Sequence, residues 1–138
     1  MRPNVIASLE ATVHRVLEKL GSELAELGLS HAEVNTLAQL ESASACTVSE
    51  LQVATGQRAS TLTGVLDRLE RRRLVERRLN PRDRRSFTVQ LTDSGAEAAE
   101  RVRKTFRDFD ERALSTVSER SAKGFFEVLD VLDALAGR

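Results

Sequence analysis

The sequence has few of the residues that mark secreted proteins, membrane proteins or metalloenzymes. It contains one cysteine, two prolines and two histidines, and it has no tryptophan or tyrosine. The single Cys46 cannot form an internal disulfide, and no stretch approaches the ~18 apolar residues of a membrane span. Residues 1–10, MRPNVIASLE, lack the apolar run of a signal peptide. We therefore expect a cytoplasmic protein that has no membrane partner.

Groups that could perform catalysis or bind a metal are also sparse. His14 and His31 fall in predicted helices, and neither lies near a Ser/Asp or Cys pattern that would supply a nucleophile and its base. The sequence has no cysteine pair and no HExxH motif with metal-ligand spacing. We expect no catalytic residues, no metal and no cofactor.

What the sequence does contain is enough for one globular domain with an uneven charge distribution. The 138 residues are 41% apolar, and their formal net charge is zero. Residues 58–85 nevertheless hold ten arginines, four acidic residues and no lysine, which gives +6 locally and leaves −6 on the remainder. Arginine forks suit phosphates and base edges, so this segment indicates a polyanionic partner. A merely solvated charged surface is the alternative interpretation.

Apolar spacing and capping residues predict a mainly helical chain. A first helix over residues 5–27 ends at Gly28, and two capping boxes, Ser30 with Glu33 and Thr47 with Glu50, start the next two helices. The later helices are predicted over residues 31–41, 47–56, 60–72, 92–117 and 118–136.

The period of the apolar pattern changes between residues 73 and 92. Apolar and polar residues alternate there, and Asn80-Pro81 interrupts the alternation, so we predict a two-stranded hairpin. The order helix, helix, turn, helix, hairpin is that of a winged helix-turn-helix, a mainly α fold with a small β-hairpin wing.

The helix over residues 60–72, here called the reading helix, is expected to lie in the major groove of DNA. Its core face holds Leu62, Val65, Leu66 and Leu69. Its opposite face and flanks present small, hydroxylic or basic side chains: Ser60, Thr61, Thr63, Gly64 and Arg68. Small outward residues let a helix backbone lie deep in a groove, so these five and Arg58 are predicted DNA contacts. A surface of low side-chain volume without function is the alternative.

The tip of the hairpin carries the remaining predicted DNA contacts, Arg82, Asp83, Arg84 and Arg85. A wing lies over the neighbouring minor groove, where negative potential favours arginine. We expect Asp83 to pair with a nearby guanidinium and to fix the shape of the tip. An exposed pair of this kind contributes only ~0–1 kcal/mol, so its role is orientation.

These segments resemble the MarR family (multiple antibiotic resistance type) of bacterial transcription regulators. The resemblance covers residues 29–95 and lies in LSHAEVNTLAQL, TVSELQVATG, STLTGVLDRLERRRLVERR and NPRDRRSFTVQLTDSG. It implies a homodimeric repressor that binds a palindromic DNA operator and is released by a small ligand. The winged helix-turn-helix would span residues 29–92, and residues 1–28 and 93–138 would supply the dimerisation helices.

The family also implies a crevice for a small aromatic or phenolic effector. The candidate lining residues are Val13, Leu17, Val34, Leu37, Phe106 and Phe109. Plain core packing is the alternative interpretation of all six.

The sequence departs from the family pattern at two places. Arg73 stands where the family usually has a glycine, so the reading helix is expected to end differently or to be strained there. The redox-sensing branch carries a cysteine early in its first helix, whereas Cys46 lies before a later helix and is expected to be inert.

Two alternatives remain open from the residues alone. The terminal helices have apolar faces that could cover each other within a monomer, although a two-fold dimer reading two half-sites is favoured. The module could also contact a protein instead of specific DNA. A steep dependence of DNA binding on salt would exclude that second alternative.

Overall fold

The computed structural model describes residues 4–41 and 44–137. Its elements are α1 (Val5–Glu23), α2 (His31–Gln39), β1 (Cys46–Thr47), α3 (Val48–Thr55), α4 (Ala59–Arg71), β2 (Val75–Asn80), β3 (Asp83–Leu91), α5 (Asp93–Leu114) and α6 (Glu119–Leu135). The predicted fold class, mainly α with a small β-hairpin wing, is confirmed. The chain divides into two compact units, one ending at Thr105 and the other beginning at Phe106.

Helix boundaries follow the local signals in the sequence. Both capping boxes are present: the Ser30 and Thr47 hydroxyls accept from the backbone N–H of Glu33 and Glu50, whose carboxylates accept in return. These reciprocal bonds satisfy amides that a helix start leaves without partners. The first helix is shorter than predicted, because α1 ends at Glu23 and a 3-10 turn leads to Gly28.

The sheet contains one strand more than the sequence predicted. The hairpin strands β2 and β3 pair antiparallel with Val75 opposite Leu91, and β1 adds to the free edge of β3 with Cys46 opposite Val89. The strand order is β1-β3-β2. Two residues are too few to show a period of two, so β1 leaves no pattern in the sequence.

The core of the first unit joins the helix-turn-helix to the base of the hairpin. The predicted apolar face of α4 is fully buried, with Leu62, Val65, Leu66 and Leu69 each at most 1% exposed. The same core includes Leu37, Leu40, Leu51, Val75, Val89, Leu91 and Ala99. Burying this face fixes which side of α4 is left to solvent.

The second unit differs, because it exposes its apolar residues. In α6 no described residue is buried. The exposed large apolar side chains from residue 106 onward are Leu114, Val117, Phe125, Phe126, Val128, Val131 and Leu135. Exposed apolar side chains of this kind, where they form a patch, mark a surface that contacts another protein.

Candidate nucleic-acid interface

The start of α4 is the one α-helix start, among the described residues, that lacks a side-chain cap. The other five are capped by the side chains of Asn4, Ser30, Thr47, Thr92 and Ser118. The N-cap of α4 is Arg58, whose side chain makes no capping hydrogen bond. The first amides of α4 are therefore available to an external acceptor, and the helix dipole and Arg58 both favour an anion there.

The solvent face of α4 has the low relief that the sequence indicated. Ser60, Thr61 and Thr63 are exposed, while Gly64 is half-buried. The Thr63 hydroxyl donates to the Ala59 carbonyl at 2.9 Å, so it remains available as an acceptor. The structure therefore leaves these residues on one accessible helix face, where a groove could contact them.

Arg68 has a partner that the sequence analysis missed. Its Nε donates to Glu33 Oε1 at 2.8 Å, and Glu33 is only 6% exposed. Burial alone would raise the pKa of Glu33, but the Ser30 backbone N–H and the Arg68 guanidinium outweigh it and lower the pKa. Arg68 thus ties α4 to α2, and its contact with DNA stays a prediction. No local pattern could reveal a pair 35 residues apart.

A second arginine fixes the far end of α4. The Arg72 guanidinium donates to the carbonyls of Leu27 and Gly28 at 2.6 and 2.9 Å. Arg73 then adopts φ +58°. Its N–H donates to the Glu70 carbonyl, and the Leu74 N–H donates to the Leu69 carbonyl. The strained helix end expected from the missing glycine is confirmed, at a cost on the order of 1 kcal/mol.

The wing is attached to α4 by ion pairs on its first strand, β2. Arg77 of β2 donates to Asp67 and, at 2.6 Å, to Glu70. Asp67 and Glu70 both belong to α4, so the core-side face of the hairpin root lies against the reading helix. Arg78, on the opposite strand face, pairs instead with Glu76 of the same strand.

The tip of the wing is shaped by short polar side chains. Asn80 Oδ1 accepts from the N–H of Arg82, Asp83 Oδ1 accepts from the N–H of Arg85, both at 3.0 Å, and Ser86 Oγ donates to the Asp83 carbonyl. The expectation that Asp83 pairs with a guanidinium is therefore wrong. An aspartate in a turn is close to backbone amides two residues on, and these compete with a mobile arginine.

These contacts determine which cations in residues 58–85 remain without acidic partners. The acidic residues on α4 and β2 neutralise Arg77 and Arg78. The Asp83 carboxylate accepts from the backbone N–H of Arg85. Within the described chain, no ion pair forms at Arg58, Arg82, Arg84 or Arg85, and all four are exposed. Arg71, Arg72 and Arg73 have no acidic partner among the described residues either, since Arg71 and Arg72 donate only to backbone carbonyls. The uncompensated charge therefore lies at both ends of α4 and at the tip of the wing.

The six predicted effector residues differ in their exposure to solvent. Val34 and Leu37 are buried in the first unit, at 7% and 0% exposed, and Val13 is 43% exposed. Leu17 and Phe106 are half-buried, and the Phe109 ring has the Arg112 guanidinium 5.7 Å from its centre. Two surface clefts of about 740 and 320 Å³ are lined by other residues. The effector crevice stays a prediction.

Cys46 has the properties of an unreactive thiol. Burial, followed by the nearby Glu50 carboxylate, raises its pKa to about 11. With this pKa, only about one thiol in 3,000 would be ionised at pH 7.5. Because the thiolate is the reactive form of cysteine, Cys46 should react slowly. We predict that the folded protein reacts with a thiol-specific disulfide reagent about 100-fold more slowly than free cysteine does. Stopped-flow absorbance, repeated on the denatured chain as a control, measures this ratio. A rate equal to that of free cysteine would contradict it.

Other chemistries have little support in residues 4–41 and 44–137. This part of the chain has no group of three or more His, Cys, Asp or Glu side chains placed to hold a metal ion. It also has no helix with the length and apolarity that crossing a membrane requires.

Comparison with known proteins identifies the family. A model described as MarR family matches residues 27–86. The chain is 34% identical over 101 residues to the multiple antibiotic resistance protein MarR of Escherichia coli K12, covering 70% of each protein. It is 30% identical over 112 residues to the HTH-type transcriptional repressor MdtR of Bacillus subtilis, covering 81% of this chain and 72% of MdtR.

Solved structures agree with these relatives. The fold matches that of MepR of S. aureus in its complex with DNA, with a TM-score of 0.85 at 20% identity, covering 97% of this chain and 99% of MepR. It also matches a cysteine-to-serine mutant of E. coli MarR in complex with operator DNA, with a TM-score of 0.71 at 27% identity, covering 94% and 96%. The predicted family is confirmed, and its members here are regulators, not enzymes. The chain belongs to the MarR family of DNA-binding transcriptional regulators.

Proposed function

We propose that this protein is a homodimeric, cytoplasmic repressor that binds a palindromic operator and is released by a small aromatic or phenolic ligand. Residues 29–92 would bind DNA, and residues 1–28 and 93–138 would form the dimer. The relative MdtR is named a repressor. A two-fold dimer places two reading helices about one DNA turn apart, which matches a palindrome.

One observation supports DNA binding above the others. The cations without acidic partners lie at the uncapped start of α4, at its far end in Arg71, Arg72 and Arg73, and at the wing tip. Cationic sites at both ends of a helix face of small side chains and on the wing fit a major groove flanked by its phosphates and the next minor groove.

The dimer is supported by apolar surface at both ends of the chain. In α1, the exposed fractions of Val5, Ile6, Val13 and Val16 lie between 37% and 53%. In the second unit, Phe125 and Phe126 are more than half exposed and pack edge to face on each other. Association would remove this surface from water at ~25 cal/mol per Å².

The experiment that tests DNA binding is fluorescence anisotropy on duplex from upstream of the protein's own gene, against a scrambled duplex, across a salt series. Arg85→Ala is expected to weaken binding by ~1–3 kcal/mol and to lower the log–log salt slope by about 0.9. The physical reason is that the Arg85 guanidinium has no acidic partner and is free to contact DNA.

Arg78→Ala is the matched control for this prediction. It removes the same charge from the same hairpin, but Arg78 is already paired with Glu76 at 3.1 Å. We expect its affinity to stay near that of the wild type. Equal losses in both variants would indicate a nonspecific charge effect and remove the wing contact from the proposal. An absence of binding at low salt would remove DNA binding itself.

The ligand is the part of the proposal that rests on the family resemblance alone. Titrating small phenolic and aromatic acids into the protein–DNA complex tests it. Release of DNA at ligand concentrations that leave the dimer intact would support a regulated repressor, whereas no release by any member would remove this part.

A further inference from the structure

Two large apolar side chains lie exposed on the wing, next to each other. Leu79 of β2 and Phe87 of β3 are cross-strand partners. They are 59% and 47% exposed. Phe87 is also the only aromatic residue before Phe106 in the sequence. A cross-strand apolar pair stabilises a hairpin only modestly, so a polar pair would have served as well for folding.

The pair continues the core face of the hairpin beyond the core. Side chains alternate along a strand, so Leu79 lies on the same face as Val75, and Phe87 on the same face as Val89. Val75 and Val89 are buried, at 1% and 0% exposed. The two strands therefore run out past the domain with their apolar face uncovered in the described chain.

Along the hairpin, the pair has the reading helix α4 on one side and an arginine without an ion pair on the other. Towards the root lies Arg77, held by Asp67 and Glu70 of α4. Towards the tip lies Arg85, two residues before Phe87 in β3, without an ion pair among the described residues. The apolar pair thus bridges the two parts of the candidate nucleic-acid interface.

We propose that Leu79 and Phe87 pack against the deoxyribose rings of the minor groove beside the reading helix. This inference rests on the proposed function. The arginines without ion pairs around the apolar pair favour an anionic partner, and the sugar rings are the apolar part of a DNA backbone that lies between its phosphates. The arginines position the wing through charge, while the apolar pair adds contact area that salt does not screen.

The salt series separates this contact from a phosphate contact. Leu79→Ser and Phe87→Ser are each expected to weaken operator binding by about tenfold, from lost apolar burial, with the salt slope unchanged. Arg85→Ala changes the slope, so the two kinds of contact are distinguishable. Val53→Ser is the matched control, because Val53 in α3 is 73% exposed and lies outside the wing. Thermal melting of each variant checks that it folds.

A second measurement uses the absence of tryptophan and tyrosine from the chain. Phe87→Trp introduces a single emitter at the proposed contact, and its emission is expected to shift to the blue and change intensity when operator DNA is added. Val53→Trp is expected to show no shift. Unchanged emission at position 87 on saturating DNA would overturn the contact even if a serine variant misfolds.

The outcomes separate this inference from the proposed function. A wild-type protein that binds no duplex overturns both. Wild-type binding with unaffected serine variants overturns the apolar contact alone. Serine variants that bind DNA normally but change the mass measured by light scattering assign the pair to contact with a second copy of the chain, which also overturns the inference.

Discussion

Gly95→Ala is expected to destabilise the first unit by about 3 kcal/mol, at the upper end of the cost of overpacking. A Cβ built on Gly95 would lie 1.7 Å from the carbonyl oxygen of Leu74. That contact is with backbone, so no side-chain rotation can relieve it. Chemical denaturation followed by circular dichroism measures the change in the free energy of unfolding.

The surrounding hydrogen bonds prevent the backbone from moving away. The Leu74 carbonyl accepts from the N–H of Thr92, and the Thr92 hydroxyl donates to the Arg73 carbonyl at 2.6 Å. Thr92 also caps α5 through the N–H of Gly95 at 3.0 Å. Separating Gly95 from Leu74 would therefore break the cap of α5 and its attachment to the start of the wing.

Gly124→Ala is the matched control for this substitution. Gly124 is also inside a helix, α6, but an added Cβ would meet no atom within 4 Å. Alanine is favoured over glycine in helices by up to ~1 kcal/mol, so this variant should be neutral or slightly more stable. If Gly95→Ala were equally neutral, the close approach to Leu74 would be wrong.

The features predicted correctly from the sequence are those encoded within a few residues. Ser30 with Glu33 marks a helix start because both partners lie in one turn. The apolar face of α4 is visible in the sequence because its apolar residues recur three or four positions apart. The strain at Arg73 was also predictable, since it follows from a single residue type in a helix-terminating position.

The features that the sequence did not reveal depend on distant partners or on competition between partners. β1 exists because β3 offers an edge 41 to 43 residues away, and Arg68 meets Glu33 only in the folded chain. Asp83 had both guanidinium groups and backbone amides within reach, and sequence alone could not rank them. The accessible face of α4 was predictable from its buried face, whereas DNA contact by those residues requires measurement.

Replacing Phe125 and Phe126 together by serine is expected to convert the proposed dimer to a monomer and to weaken operator binding by about 100-fold or more. Both rings are exposed in α6, at 53% and 55%, on a helix that buries no described residue of its own. A dimer delivers its second reading helix at a high effective concentration once the first has bound, and a monomer loses that advantage without losing any DNA contact.

Sedimentation equilibrium measures the mass, and anisotropy on full and half operators measures the affinity. The monomeric variant should bind a half-site as weakly as the wild type does, because α4 and the wing lie before residue 106 and are unchanged. Lys123→Ser, an exposed polar change in the same helix, should leave both measurements unaltered. A double variant that remains dimeric would contradict the prediction and would show that this apolar face contacts another partner. Apolar surface that stays exposed to water without a partner is unfavourable.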